Sequence, residues 1–125
     1  MQGLLNDQTS LYLQIAGMIE NDILRGVYQA EEQVPSTNAL AKTLNLNPAT
    51  AAKGVNLLVS EGILYKKRGL GMFVSPGAAD EIRRKRRAAF YEGFVKPLVK
   101  ESRSLGLGAE EIMDMVENAI AEGAK

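Results

Sequence analysis

The stretch 47–62, NPATAAKGVNLLVSEG, carries the clearest helix signals in this sequence. Asn47 is a favoured N-cap, and the proline after it stands in the first turn, where its missing N–H costs no hydrogen bond. Ala51, Val55 and Leu58 follow at helical spacing and form an inward stripe. Gly62 then ends the helix. The stretch therefore predicts a helix that starts just after Asn47.

A shorter helix precedes this one. Pro35 biases Val34 towards an extended backbone, which predicts a brief strand there. Ser36 can cap a helix that ends near Asn45, a residue type that tolerates the left-handed conformation at a helix end. Two short helices joined by about three residues are typical of a helix-turn-helix. Any pair of core helices can show this pattern, so the flanking segments matter.

The residues that follow make the interpretation more specific. ILYKK (63–67) and MFVS (72–75) resemble strands, and RGLG (68–71) between them predicts a tight β-hairpin. Gly69 and Gly71 can adopt the positive φ angles that such a turn needs. The hairpin therefore predicts a basic wing with Lys66, Lys67 and Arg68 at its tip, and an amphipathic helix over 11–25 completes a winged helix-turn-helix.

The Gly-x-Gly of the hairpin has two other interpretations. A nucleotide phosphate loop would open a helix, whereas this Gly-x-Gly lies between strands, and the chain lacks the phosphate-loop pattern with lysine and a hydroxyl residue. A purely structural turn is the other alternative, and the sequence leaves it open.

Composition limits the function. The 125 residues contain no cysteine and no histidine, which excludes thiol chemistry and removes the commonest general base and metal ligand. We therefore predict no catalytic residues, no metal site and no cofactor. No apolar run approaches a membrane span and the amino terminus lacks a signal-peptide pattern, so we predict a cytoplasmic protein without a membrane partner.

Net charge is zero, with 15 basic and 15 acidic residues, but the charges are unevenly placed. Residues 7–32 hold five acidic residues and only Arg25 as a cation, whereas 42–68 hold five cations and only Glu61 as an acid. This asymmetry favours attraction of a polyanion to one face. An ordinary solvated surface is the alternative.

The order and spacing of these motifs resemble the GntR family of bacterial transcription regulators. The matching segments are LYLQIAGMIENDILRGVY, QVPSTNALAKTLNLNPATAAKGVNLLVSEGIL and KKRGLGMFV, roughly residues 10–76. The NPATAAK opening and the short tail look most like the YtrA subfamily, whose members carry a small two-helix dimerisation region.

The resemblance implies an α+β fold, with a winged helix-turn-helix DNA-binding domain over 1–76 and a helical dimerisation region over 77–125. It implies a transcriptional regulator, more specifically a repressor, that binds a twofold-symmetric operator in double-stranded DNA as a homodimer. The alternative is a winged-helix module that binds proteins and not DNA. Nothing in the sequence identifies a small-molecule effector.

The chain departs from the family at three places. Glu31-Glu32 stand where the family usually has Gly-Asp, and Asn38 stands where an arginine commonly reaches DNA. Residues 47–50, NPAT, replace the Ser-Arg-Thr-Thr of many members. The base-reading arginine of other subfamilies is therefore missing, and their operator preferences do not carry over.

In helix-turn-helix proteins the start of the second helix contacts base edges in the major groove. We predict free N–H groups at Ala49 and Thr50 that favour a phosphate, and a Lys53 suited to guanine or phosphate. A capping role for Thr50 and a solvated Lys53 are the alternatives, and Gly54 fits either close packing or close approach to DNA. The predicted DNA-binding residues are Ser36, Asn38, Asn47, Ala49, Thr50, Lys53, Lys66, Lys67, Arg68, Gly69 and Gly71.

The tail predicts two helices separated at 105–108, the first interrupted near Gly93 and Pro97. Two helices cannot bury their apolar faces alone, so a second copy of the chain is the expected partner. The predicted dimerisation residues are Phe90, Phe94, Leu98, Ile112, Val116 and Ile120. The basic run 83–87 is interpreted as mostly solvated, with attraction to flanking DNA or pairing with the acidic last helix as alternatives.

Overall fold

The computed structural model describes residues 8–124. Along this range, six α-helices and two β-strands follow one another, and a π-helical turn over Tyr91–Val95 joins the fourth helix to the fifth. The elements are α1 (Gln8–Leu24), α2 (Thr37–Leu44), α3 (Pro48–Ser60), β1 (Leu64–Lys67), β2 (Gly71–Val74), α4 (Ala78–Phe90), α5 (Lys96–Ser104) and α6 (Ala109–Gly123). The α+β prediction is confirmed. The chain divides into two compact units, the first ending at Arg84 and the second starting at Lys85.

Local capping chemistry sets the starts of the two helix-turn-helix elements. Ser36 Oγ accepts a hydrogen bond from the Ala39 N–H at 3.0 Å, and Asn47 Oδ1 accepts one from the Ala49 N–H at 2.8 Å. Asn45 ends α2 in the left-handed conformation, at φ 55°. Each of these residues satisfies backbone groups that a helix end would otherwise leave unpaired. The predicted helix ends are confirmed.

The core of the first unit joins α1 and α3 to the base of the hairpin. The core residues are all buried and apolar: Ile15, Ala16, Ile19, Ile23, Val34, Ala41, Ala51, Val55, Leu58, Ile63, Leu64, Val74, Ala78 and Ile82. The inward stripe predicted for α3 is confirmed, since all three of its residues are buried. Seven of these fourteen residues lie in α1 and α3, so these two helices supply half of the apolar core of the unit.

The wing is an antiparallel hairpin to which the segment before α2 adds an edge. Strand β1 pairs with β2 from Leu64 opposite Val74 to Lys67 opposite Gly71. Gln33 forms a bridge to Phe73 on the other side of β2, and the Val34 N–H donates to the Met72 carbonyl at 3.0 Å. The brief strand predicted at Val34 is present as this bridge, one residue earlier. The wing is thus attached to the helix-turn-helix by backbone hydrogen bonds.

Helix α4 begins within the first unit. Ala78 and Ile82 are buried, and Ile82 is fully so, because both complete the core of that unit. The predicted domain boundary between residues 76 and 77 stays a prediction. The division into two compact units falls after Arg84. A truncation that keeps the first unit intact therefore has to keep Ile82.

The second unit has the predicted helical order. The interruption expected near Gly93 and Pro97 is the π-helical turn, in which the Lys96 N–H donates to the Tyr91 carbonyl. Pro97 has no N–H, so a regular hydrogen bond to the Gly93 carbonyl cannot form there. The break between α5 and α6 is confirmed, with Gly106 at φ 72°. None of the helices over residues 8–124 is long and apolar enough to cross a bilayer.

Candidate nucleic-acid interface

The start of α3 presents side chains but not free amides. The Ala49 N–H donates to Asn47 Oδ1, and the Thr50 N–H donates to the Asn47 carbonyl at 3.0 Å. The prediction of free N–H groups at these two positions is therefore wrong, because the N-cap occupies both donors. Asn47 and Ala49 are exposed, whereas Thr50 is half-buried. Recognition of DNA bases by this end of α3 would therefore depend on its exposed side chains and not on its backbone amides.

Lys53 lies one turn further along α3, and its ammonium sits over the Tyr12 ring, with Nζ 4.3 Å from the ring centroid. The lysine remains exposed, so the ring supports the side chain without removing its charge from solvent. The contact favours a side chain held beside α3 over a freely solvated one. Tyr12, in α1, was not a predicted site residue.

Gly54 follows Lys53 on α3 and faces α1. A β-carbon at this position would lie 2.8 Å from the Tyr12 carbonyl oxygen and 3.0 Å from Ile15 Cγ2. Real Cβ atoms do not approach a backbone oxygen so closely, so the absence of a side chain lets the two helices pack. Of the two interpretations of Gly54, close packing therefore explains the residue.

The start of α2 offers two predicted contacts of different kinds. The Ser36 hydroxyl accepts from the Ala39 N–H, and it therefore has a structural role whether or not DNA is present. Asn38 is exposed, and its side chain makes no hydrogen bond to any residue that the structure describes. Asn38 is thus the available polar group at this end of the motif, shorter and uncharged compared with an arginine.

The wing tip carries three exposed cations in two different situations. Lys67 lies on the same face of the hairpin as Tyr65 and Phe73, with Nζ 4.3 Å from the Phe73 centroid and 5.9 Å from that of Tyr65. Lys66 and Arg68 form no ion pair or ring contact within residues 11–124. These two side chains are therefore available to an external anion.

The turn between the strands has the predicted glycine chemistry. Gly69 has φ 78° and Gly71 has φ 119°, both in the region that side-chain-bearing residues rarely adopt. At Gly71 a β-carbon would also lie 2.6 Å from Gln33 Nε2. The backbone conformation favours glycine at position 71, and the absence of a side chain there leaves the space that the end of the Gln33 side chain occupies.

Glu31 shows how the chain accommodates its departure from the family pattern. It has φ 72°, a conformation suited to the glycine that usually stands there. Its carboxylate accepts a hydrogen bond from the Tyr65 hydroxyl, with the two oxygens 2.5 Å apart. Glu32 also has a partner, since its Oε1 accepts from the Gln29 N–H at 2.6 Å. Both acidic side chains are therefore tied to the protein surface.

The hydrogen bond to Glu31 raises the pKa of Tyr65 above its ordinary value. The bond stabilises the protonated phenol, so its contribution to folding is fully present below the ordinary pKa and is lost as pH rises through the raised one. We expect Glu31→Gln to lower the pKa of Tyr65, because a neutral amide replaces the carboxylate. Tyrosinate absorbance during an alkaline titration measures this, with Tyr65→Phe identifying the step that belongs to Tyr65. If the titration curves of the parent and of Glu31→Gln were identical, the expected effect of Glu31 on the pKa of Tyr65 would be contradicted.

The basic run 83–87, in the middle of α4, is partly neutralised within its own helix. Arg83 Nη1 lies 3.1 Å from Asp80 Oδ1, and Arg84 Nε lies 3.1 Å from Glu81 Oε1. Pairs three residues apart stabilise an exposed helix by a few tenths of a kcal/mol. The run therefore has local partners in the first turn of α4, and its contact with DNA stays a prediction.

Sequence reasoning missed the residues that act across the fold. Tyr12 supports Lys53, Glu31 accepts from Tyr65, and Gln33 reaches the wing tip, where its Nε2 donates to the Leu70 carbonyl at 2.6 Å. Among these residues, only Glu31 could be singled out from the sequence, because it is an acidic residue where the family usually has glycine. The other contacts join residues more than thirty positions apart, which no local pattern specifies.

Comparisons with known proteins agree with this architecture. The family "Bacterial regulatory proteins, gntR family" matches residues 11–74, which span α1 to the end of β2. The crystal structure of a GntR-family protein from Bacteroides thetaiotaomicron superposes with a TM-score of 0.78 at 34% identity, covering 90% of this chain and 98% of that one. The winged-helix fold and the helical tail are therefore shared with a solved protein of similar length.

Two curated relatives differ in length. The HTH-type transcriptional repressor YtrA of Bacillus subtilis is 25% identical over 114 residues, 91% of this chain and 87% of the relative. The "probable fructoselysine utilization operon transcriptional repressor" of Escherichia coli K12 is 38% identical over 64 residues, 51% of this chain. This chain spans only about a quarter of that relative's length, 26%.

A further structure shows what such a DNA-binding domain can do. The AraR DNA-binding domain, crystallised in complex with operator ORX1, matches at 30% identity with a TM-score of 0.52, covering 60% of this chain and 92% of that one. GntR-type domains thus bind operator DNA in solved complexes. With the family match over half its length and a relative of nearly its own size, this chain belongs to the GntR family of bacterial regulatory proteins and is similar to its YtrA subfamily.

Proposed function

We propose that this protein is a cytoplasmic transcriptional repressor that binds a twofold-symmetric operator as a homodimer. The observation that supports DNA binding is the pair of exposed cations at the wing tip, Lys66 and Arg68, which have no ion-pair or ring partner among the described residues and lie beside a helix-turn-helix. Both side chains are exposed on a hairpin whose turn brings the backbone to a narrow tip. Such cations bind phosphates and release counterions.

Two elements of the first unit would contact DNA in different ways. The exposed start of α3, with Asn47, Ala49 and Lys53, would enter the major groove, where Lys53 suits guanine or a phosphate. The wing would follow the adjacent backbone with Lys66 and Arg68. Specificity would then come from α3 and from Asn38, and the wing would add affinity common to all sequences.

The second unit supplies the argument for a homodimer. Among its described residues, no apolar side chain is fully buried, and Phe90 and Phe94 are 57% and 69% exposed. Their rings lie 5.7 Å apart between centroids and form one aromatic surface. A groove of about 280 Å³ between α5 and α6 is lined by apolar side chains, including Leu98, Ile112 and Val116.

Burial of these surfaces against a second copy is the economical arrangement. Each large apolar side chain left in water forgoes roughly 1.5–3 kcal/mol of burial free energy. A homodimer would cover the face in both copies at once, and its twofold axis would match an operator with half-sites about 10 base pairs apart or a multiple of that.

Removal of the wing arginine is expected to weaken DNA binding without changing sequence preference. Arg68→Ala should lower the affinity for all duplexes by a similar factor and reduce the slope of log affinity against log salt by about one unit, because one phosphate contact is lost. Fluorescence anisotropy at several salt concentrations measures both quantities. Arg25→Ala is the matched control, since it removes the same charge from a side chain that pairs with Asp22 on α1.

The test of the proposed function starts from a random-sequence duplex library. The intact protein should enrich a twofold-symmetric sequence, and the enriched duplex should bind far more tightly than a scrambled one at the same salt concentration. Failure to enrich any duplex, with no binding at low salt, would contradict the proposal and favour a winged-helix module that binds proteins. If the slope of log affinity against log salt were the same for the parent and for Arg68→Ala, the wing would not be part of the DNA interface.

A further inference from the structure

The wing tip is tied to the segment before α2 by one side chain. Gln33 Nε2 donates to the carbonyl of Leu70, which stands in the turn between Gly69 and Gly71. The donor and acceptor lie 2.6 Å apart and are separated by 37 positions in the chain. The amide also fills the space beside Gly71, where a β-carbon would lie 2.6 Å from Nε2. The contact therefore depends on the glycine as well as on the glutamine.

The base and the tip of the hairpin are held by different interactions. At the base, backbone hydrogen bonds join β2 to the preceding segment, including Glu31 N–H to the Val74 carbonyl at 2.8 Å. At the tip, the turn has the Leu70 N–H to Lys67 carbonyl bond at 2.9 Å, and Gln33 adds the link to a different part of the chain. Loss of the Gln33 amide would leave the base paired and would remove this side-chain link between the tip and the segment before α2.

Gln33 links the two parts that would contact DNA. It precedes Ser36, the N-cap of α2, by three residues, and it contacts the turn that contains Arg68. We propose that Gln33 is a positioning residue, which holds the wing tip in a fixed orientation relative to the helix-turn-helix so that Arg68 meets the DNA backbone. The inference rests on the proposed function, because it concerns how Arg68 is presented.

The test replaces the amide without changing the length of the side chain. Gln33→Met removes the donor, and Gln29→Met is the matched control. Gln29 is exposed in the same segment, and its side chain makes no hydrogen bond to the other residues described. We expect Gln33→Met to weaken binding to the enriched duplex about three- to tenfold, the effect of one neutral hydrogen bond. Gln29→Met should leave binding unchanged.

Two further measurements separate positioning from a general loss of structure. In the Arg68→Ala background, Gln33→Met should have little additional effect, because the side chain that it positions is missing. In the absence of DNA, amide hydrogen exchange over residues 68–71 should be faster in Gln33→Met, with the protection of α1 and α3 unchanged. Both results together would support the inference.

The outcomes that overturn the inference are distinct from failure of the proposed function. Unchanged exchange at the tip would show that Gln33 does not hold it, whether or not the protein binds DNA. Two outcomes would show that the orientation of the tip does not act through Arg68. One is faster amide hydrogen exchange in Gln33→Met with unchanged affinity for the enriched duplex. The other is an equal loss of affinity on Gln33→Met in the parent and in the Arg68→Ala background. If the parent protein bound no duplex, the proposed function would fail first and the positioning role with it.

Discussion

Phe94→Asp is expected to convert the protein from dimers into monomers. Phe94 is 69% exposed in one chain and stacks beside Phe90 on the aromatic surface of the second unit. In the proposed dimer this surface is covered, so the substitution would bury an unpaired carboxylate, at a cost of several kcal/mol. Multi-angle light scattering should give a mass about twice 13.6 kDa for the parent and near 13.6 kDa for the variant. Operator affinity should fall sharply, since each monomer would contact only one half-site.

Asn118→Asp is the matched control for this substitution. Asn118 is an exposed residue of α6, two positions from Val116 and therefore on the opposite side of the helix, and its replacement changes net charge by the same amount. It should leave the dimer intact. A parent protein that is monomeric at the concentrations used for DNA binding would contradict the dimer proposal and the twofold operator with it.

Truncation provides an independent route to the monomer. A chain ending at Arg84 keeps Ala78 and Ile82, which are buried in the first unit, and should remain folded as a monomer. A chain ending at Ser75 loses Ile82 and should be less stable, because removal of a fully buried isoleucine side chain costs about 2–5 kcal/mol. Thermal unfolding of the two fragments distinguishes them.

Gly54→Ala is expected to destabilise the first unit by about 1–3 kcal/mol, although alanine is the better helix former by about 1 kcal/mol. The new methyl group would lie 2.8 Å from the Tyr12 carbonyl oxygen and 3.0 Å from Ile15 Cγ2, so α1 and α3 would have to separate. These helices form the central contact of the core, and they cannot separate without losing buried apolar area elsewhere. Chemical denaturation of parent and variant gives the difference in the free energy of unfolding.

Gly17→Ala is the control with the opposite expected sign. Gly17 lies within α1, and a β-carbon there would meet no other part of the described structure within 4 Å, apart from its chain neighbours and the backbone of its own helix. Alanine should therefore stabilise the protein by up to about 1 kcal/mol, through helix propensity alone. If Gly54→Ala were also stabilising, the close approach of the two helices would not be the reason for glycine at that position.

Local chemistry determined much of this protein from its sequence alone. Ser36, Asn45 and Asn47 each act on backbone groups within a few residues of themselves, so their identities are enough to place the ends of α2 and α3. The hairpin follows for the same reason, since Gly69 and Gly71 adopt positive φ angles that few other residues tolerate. The inward stripe of α3 follows from helical periodicity.

Only the tertiary structure decided which residues support the predicted site residues. It places Tyr12 under Lys53, it explains Gly54 by packing against α1, and it ties the wing tip to Gln33. Each of these contacts joins residues far apart in the chain, so it depends on how whole elements pack and not on the nearby sequence. The inclusion of Ile82 in the first unit has the same origin. Sequence patterns specify elements, whereas the neighbours of a side chain across the core exist only once those elements have packed.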